Sequence, residues 1–195
     1  MEEQHLKAEE SLSLISDVIA TTKARFEQNG TVYLFWGILL ALASFAQFVL
    51  LQMERWDIHY YPYFFALLGW FYMFWYYSKA ENRTKSKNII SKIINGIWIF
   101  IGINSGLLGF LMGPILRENL IPIILVIVSV GVMITGIAFK NRLVFFGGIF
   151  CNVAGFVAFW LDFIYQPLLT SIVYLIVLVL PGYIFARNNR RKNAA

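Results

Sequence analysis

The sequence predicts an all-α integral membrane fold: a six-transmembrane helix bundle preceded by a short amphipathic helix. Two observations carry that expectation. The first is composition, with 59% of residues hydrophobic and 14% charged, where a soluble domain carries about 25% charged residues. The second is distribution. Apolar residues gather into six spans, 31–53, 61–78, 93–113, 121–139, 143–161 and 168–186, each suited to crossing a hydrocarbon core of about 30 Å as a helix. The connections are short. Residues 30–187 therefore read as one membrane domain, with a cytoplasmic segment 1–29 before it and a basic tail, 188–195, behind.

The first element is a helix over about 9–28. Leu12, Ile15, Ile19 and Phe26 are spaced by three, four and seven, so they share one face, flanked by Leu14 and Val18. Glu2, Glu3, Glu9 and Glu10 crowd its start and Lys23 and Arg25 its end, in keeping with the helix dipole. Asn29-Gly30 reads as its C-terminal stop. Acidic side chains in 1–28 (those four, Asp17 and Glu27) outnumber Lys7, Lys23 and Arg25. That balance opposes adsorption to an anionic leaflet, so the helix is expected under the bundle or against a partner helix. Met1-Glu2-Glu3, with no long apolar run before Thr31, does not read as a signal peptide.

The spans follow a pattern. Each even-numbered span opens at a proline (Pro62, Pro122, Pro167), where the missing amide proton costs no helical bond. Each odd-numbered span begins near an asparagine and soon meets an aromatic residue and a glycine: Asn29 to Gly37, Asn95 to Gly102, Asn141 to Gly147. Gly102 and Gly147 stand as far apart as Pro122 and Pro167. One account is three like-oriented helical hairpins; the other is that proline at helix starts and glycine within spans are common in membrane helices. Small residues recur four apart on the odd spans, at Gly37/Ala41, Gly102/Gly106 and Gly147/Cys151/Gly155. Such faces let backbones approach closely, so the odd spans are expected to meet at the centre. The second span, loaded with Phe64, Phe65, Trp70 and Phe71, is expected to reach lipid. Trp56, Tyr60, Tyr63, Trp160 and Tyr165 read as markers of the outer interface, Trp36 and Trp98 of the inner one.

Charge orients the bundle. Of 16 Lys and Arg, all but Arg55 and Arg117 fall on one side if both termini are cytoplasmic, which is the positive-inside arrangement. The densest basic group, Arg83, Lys85 and Lys87, reads as a topogenic signal that also meets anionic headgroups. A net charge of +5 is therefore accounted for at membrane edges, and no nucleic-acid partner is expected.

No Asp, Glu, Lys, Arg or His falls in the middle of a span. A central charge costs about 2.5–3.5 kcal/mol on insertion scales, so its absence weakens a proton-coupled transporter, pump or voltage sensor. The polar residues there are neutral: Asn104, Asn152 and, nearer the outside, Gln47. Buried amides either bond across helices or line a path for a small polar solute. On the outer side Glu54, Asp57, His59 and Asp162 would form a cation or acid–base site if their loops converge, though their spacing matches no metal motif and a wet loop carries charges in any case. The single cysteine, Cys151, and the two histidines, His5 and His59, on opposite sides lead to no expectation of a disulfide, metal or cofactor. No phosphate loop, nucleophile elbow or HExxH occurs.

Ser11-Leu12-Ser13-Leu14-Ile15, then Asn29-Gly30 and Tyr33-Leu34-Phe35-Trp36-Gly37, with Gly147-Gly148 and Pro181-Gly182-Tyr183 towards the end, resemble a family of small bacterial multi-span membrane proteins. Their shared pattern is an amphipathic helix, an Asn-Gly break and a first span opening Tyr-Leu-x-Trp-Gly. The resemblance implies a bacterial inner membrane and carries over no catalytic residue. The leading expectation is a non-enzymatic membrane protein acting through helix packing with itself or a partner, residues 9–28 being its cytoplasmic contact. A small facilitator for a neutral or polar solute is the alternative, and a membrane enzyme the third reading.

Overall fold

The computed structural model describes residues 30–66, 68, 69, 71 and 89–194, and among them every regular element is helical, with no strand. The amphipathic helix expected over 9–28 and the 72–78 part of the second span lie outside the described residues. Helix α1 runs Gly30–Gln52. A 3-10 turn, Tyr61–Tyr63, follows with Pro62 in its first positions, and residues 64–66, 68, 69 and 71 continue as helix. Helix α2 is Ile89–Leu111. The turns Gly113–Leu116 and Arg117–Asn119 lead into α3, Leu120–Ala138. Then come α4, Arg142–Ala158, and α5, Gln166–Tyr174, which passes through a π-helical turn, Leu175–Val179, into α6, Leu180–Ala194.

Among the described residues four stretches are long and apolar enough to cross a membrane: Val32–Gln52, Lys92–Leu111, Gly113–Ala138 and Gln166–Asn188. Arg142–Ala158 is apolar but shorter; at 1.5 Å per residue it reaches about 25 Å. The chain thus has the helices of a membrane protein. The tail expected over 188–195 is helical as far as Ala194.

Two helices stop by the same device. Glu54 (φ 56°) and Lys140 (φ 49°) take the left-handed conformation just past α1 and α3. The next amide donates back across the turn, Arg55 N to Leu50 O at 2.9 Å and Asn141 N to Gly136 O at 2.9 Å, satisfying carbonyls the helix end leaves open. Asn141 then starts α4, its side chain accepting from Val144 N at 3.2 Å. One residue closes α3 and caps α4, which folds the pair into a tight hairpin.

Of the Asn29-Gly30 stop the sequence suggested, Asn29 and the helix before it lie outside the described residues, which begin at Gly30. Gly30 is the first residue of α1, and no described glycine has a positive φ. Its smallness serves packing: a Cβ there would lie 2.7 Å from Phe185 Cβ and 2.9 Å from Gly182 O. Pro181, next door, has no N–H for the carbonyl one turn back, and the wide π turn of 175–179 ends two residues before it.

Helix α3 packs most extensively on α4, α1 on α5 and α6, and α2 chiefly on α3. The core is built from Leu125, Val132, Val144, Cys151, Val173 and Val177. Among the described helices the main pairings join odd spans to even ones, so the expectation that odd spans meet at the centre is corrected. The reason is steric: the small faces receive large side chains rather than each other. A Cβ on Gly37 would fall 2.8 Å from Leu178 Cβ, on Gly148 2.7 Å from Met133 N, and on Gly155 2.9 Å from Val126 Cγ2.

Candidate functional site

The polar residues singled out in the sequence separate into three places. Asn152, on α4, donates to Ser129 Oγ of α3 at 2.9 Å, and Ser129 in turn donates to Val126 O at 2.7 Å. Asn104, on α2, is exposed and turns its Nδ2 back to Phe100 O of its own helix at 2.8 Å. The two amides therefore have separate partners and do not form a common site. Gln47 is buried and belongs to a third group.

That group is the most connected polar cluster among the described residues. Tyr63 OH donates to Gln47 Oε1 at 2.9 Å. The Tyr63 proton being spent there, Ser44 Oγ, 3.1 Å away, is the donor to the phenol oxygen. Gln47 Nε2 donates to His59 Nδ1 at 3.0 Å, which leaves the ring proton of neutral His59 on Nε2. Helix α1 supplies Ser44 and Gln47 one turn apart, and the 53–60 loop brings His59 back over the helix end. His59 meets Trp56, Tyr60 and Phe163 with ring centroids at 6.3, 5.6 and 5.6 Å. Half-burial among these rings lowers its pKa below the ordinary 6.5, because a charged imidazolium loses hydration there. Tyr174 is buried on α5, and Ser171 Oγ donates to Ala41 O at 2.9 Å, tying α5 to α1.

The 53–60 and 162–165 loops do converge, through rings rather than carboxylates. Trp56 stacks on Phe163 at 6.2 Å. Asp57 pairs with exposed Arg55 at 3.5 Å; Glu54 and Asp162 are exposed. Among the described residues no three His, Cys, Asp or Glu side chains gather as a metal site. The helix-packing residues also divide. Gly37, Ala41, Cys151 and Gly155 are buried, Cys151 donating to Leu125 O at 3.6 Å. Gly147 meets Val177 at ordinary contact distance, whereas Gly106 has nothing within 4 Å of a Cβ. Gly102 is half-buried.

Sequence reasoning missed Ser44, Tyr63 and Gln166. Hydroxyls are inexpensive in membrane helices and drew no notice, and Tyr63 read as an interface marker. Gln166 is buried and its Nε2 donates to Ala158 O and Leu161 O, both at 3.1 Å, closing the end of α4. Its place beside Pro167 at a helix start was the available signal. Trp98, read as an inner interface marker, donates to Thr135 Oγ1 at 3.1 Å and knits α2 to α3.

The face of α2 away from α3 is different in kind. Only 6% of its most apolar stretch is buried, against 50% for Gly113–Ala138 and for Gln166–Asn188. Gly96, Gly106 and Gly109 all have nothing within 4 Å of a Cβ. An open groove of about 450 Å³ runs between α2 and α3, lined by Phe100, Ile101, Leu108, Ile127 and Val130, with Asn104 as its polar member. No family model, curated protein or solved structure matches the chain.

Proposed function

We propose that this chain is a non-enzymatic six-span protein of a bacterial inner membrane, with both termini cytoplasmic, that works by helix packing with a second copy or a partner. The observation that carries the reading is the bareness of α2, 6% buried across a membrane-length stretch. Helices in lipid associate by close packing and by polar bonds. The open glycine face of α2 supplies the first and Asn104, in the groove beside α3, the second. The close α3–α4 packing agrees with it: Gly148 and Gly155 of α4 meet Met133 and Val126 of α3 directly, and Asn104 and Asn152 have separate partners. The six-span arrangement draws support from the loops. Those at 53–60 and 162–165 touch through Trp56 and Phe163, Phe64 meets Phe110 at 5.4 Å, and among the described basic residues this end carries only Arg55 and Arg117.

The test is photocrosslinking in native membranes. Leu107 on α2 and Phe156 on α4 are equally exposed, at 50% and 51%. A benzoylphenylalanine at position 107 is expected to give a discrete protein adduct, and at position 156 lipid adducts alone. Identical lipid-only patterns at both positions would refute the reading.

A further inference from the structure

We propose that His59 is a proton-operated clasp: neutral, it accepts from Gln47 and holds the 53–60 loop on α1 and on the 162–165 segment; protonated, it releases that loop. Geometry carries the inference. The path from the loop into the helix pair is a directional chain, Ser44 to Tyr63 to Gln47 and Gln47 to His59, with heavy-atom separations of 3.1, 2.9 and 3.0 Å. Both hydroxyl protons in it are spoken for, that of Ser44 on Tyr63 and that of Tyr63 on Gln47. A proton added at Nδ1 would confront the Gln47 amide N–H, donor against donor. Gln47 can turn over only if Tyr63 and Ser44 both reverse. Even then the imidazolium stays among Trp56, Tyr60 and Phe163, where water reaches it poorly; swinging out restores its hydration.

The charged and titratable surroundings do not offset this. On its own loop stand Glu54, Arg55, Asp57, Tyr60 and Tyr61, and Asp57 is engaged with Arg55 at 3.5 Å. Helix α1 presents neutral Gln47, the following helix Tyr63, and the segment before α5 presents Phe163 flanked by Asp162 and Tyr165. The direction of the effect follows from linkage. A histidine with its folded-state pKa below the ordinary 6.5 contributes closure fully above about pH 6.5, and that contribution is lost as pH falls through the lowered value. Release would unstack Phe163 from Trp56 and free Tyr63 and Gln47 at the mouth of the α1–α5 seam. On the orientation proposed above, the clasp reads the pH outside the cell.

The chain has two histidines, so His5→Gln leaves His59 alone for observation. The full-length protein in phosphatidylcholine nanodiscs, with 4-fluorophenylalanine at position 163, permits both sides of the clasp to be followed. Nitrogen-15 NMR is expected to show the Nε2–H tautomer at pH 7.5 and a midpoint below 6.5. The fluorine signal is expected to become accessible to a soluble gadolinium chelate with that same midpoint. His59→Gln, which keeps an acceptor and cannot titrate in this range, is expected to hold the fluorine protected at every pH; Gln47→Leu is expected to raise the midpoint. A fluorine signal unchanged through the His59 titration would mean the network reverses in place, and would overturn the clasp. So would a midpoint at or above 6.5, or acid exposure that persists in His59→Gln.

Discussion

Asn152 spends its amide on Ser129, and Ser129 has a second bond of its own to Val126 O. That makes the asparagine replaceable. Leucine at 152 removes one interhelical bond, and the serine left behind still donates, so no buried donor is orphaned. Such bonds average about 0.6 kcal/mol in membrane proteins, with a maximum near 1.7. Asn152→Leu is therefore expected to lower stability by roughly that amount in a detergent unfolding titration, and to leave the α2 photocrosslink intact. A loss several-fold larger would show that Asn152 does more than join α3 to α4. The same accounting separates Gln47, which has two partners in two different segments and no spare acceptor to release.

At the scale of helices, the glycines divide by what stands opposite. A side chain on Gly155 would run into Val126 and Leu125 of α3, and the α3–α4 pairing has no slack because Asn141 serves both helix ends. Overpacking typically costs about 1–3 kcal/mol, and backbone atoms here cannot step aside as a side-chain tip would. Gly155→Leu is expected to lose at least that much in a thermal aggregation assay. Gly106→Leu is expected to leave folded yield and midpoint unchanged, since its face is open, while weakening whatever α2 contacts. Equal losses at both sites would contradict the packing described. Helix starts among the described residues were legible in the sequence to within a few residues, because apolar runs and the first-turn prolines bound them, whereas the last helix runs on to Ala194, past the predicted 186. Pairing was not. In a soluble helix the polar face reports which side is buried; here both the lipid and the core are apolar, so Gly37, Gly106 and Gly155 read alike although only two of them are packed. The polar cluster was half legible for a related reason. Gln47 and His59 stood out as polar residues in apolar surroundings, but their connection runs through the fold-back of the 53–60 loop, which spacing along the chain does not encode.

For the whole molecule, an aromatic cap closes one end and most of the cations among the described residues stand at the other. Trp56, His59, Tyr60 and Phe163 form one aromatic cap, while Lys140 and Arg142 occupy the turn between α3 and α4 at the opposite ends of those helices. Aromatic residues favour the headgroup region on either side of a bilayer, so the cap by itself gives no orientation; the asymmetry of Lys and Arg does. On the six-span reading, insertion with the cap outward leaves only Arg55 and Arg117 to be translocated, whereas the reverse would carry Arg83, Lys85, Lys87, Lys92 and the basic tail across. Single cysteines in a Cys151→Ala background decide between them. Asp57→Cys and Glu118→Cys are expected to react with a membrane-impermeant maleimide in intact cells, and Arg83→Cys and Arg190→Cys only after the membrane is opened. Labelling at 83 from outside would invert the bundle, and with it the compartment to which His59 is exposed; labelling at both 57 and 83 would reduce the number of spans between them from one to none.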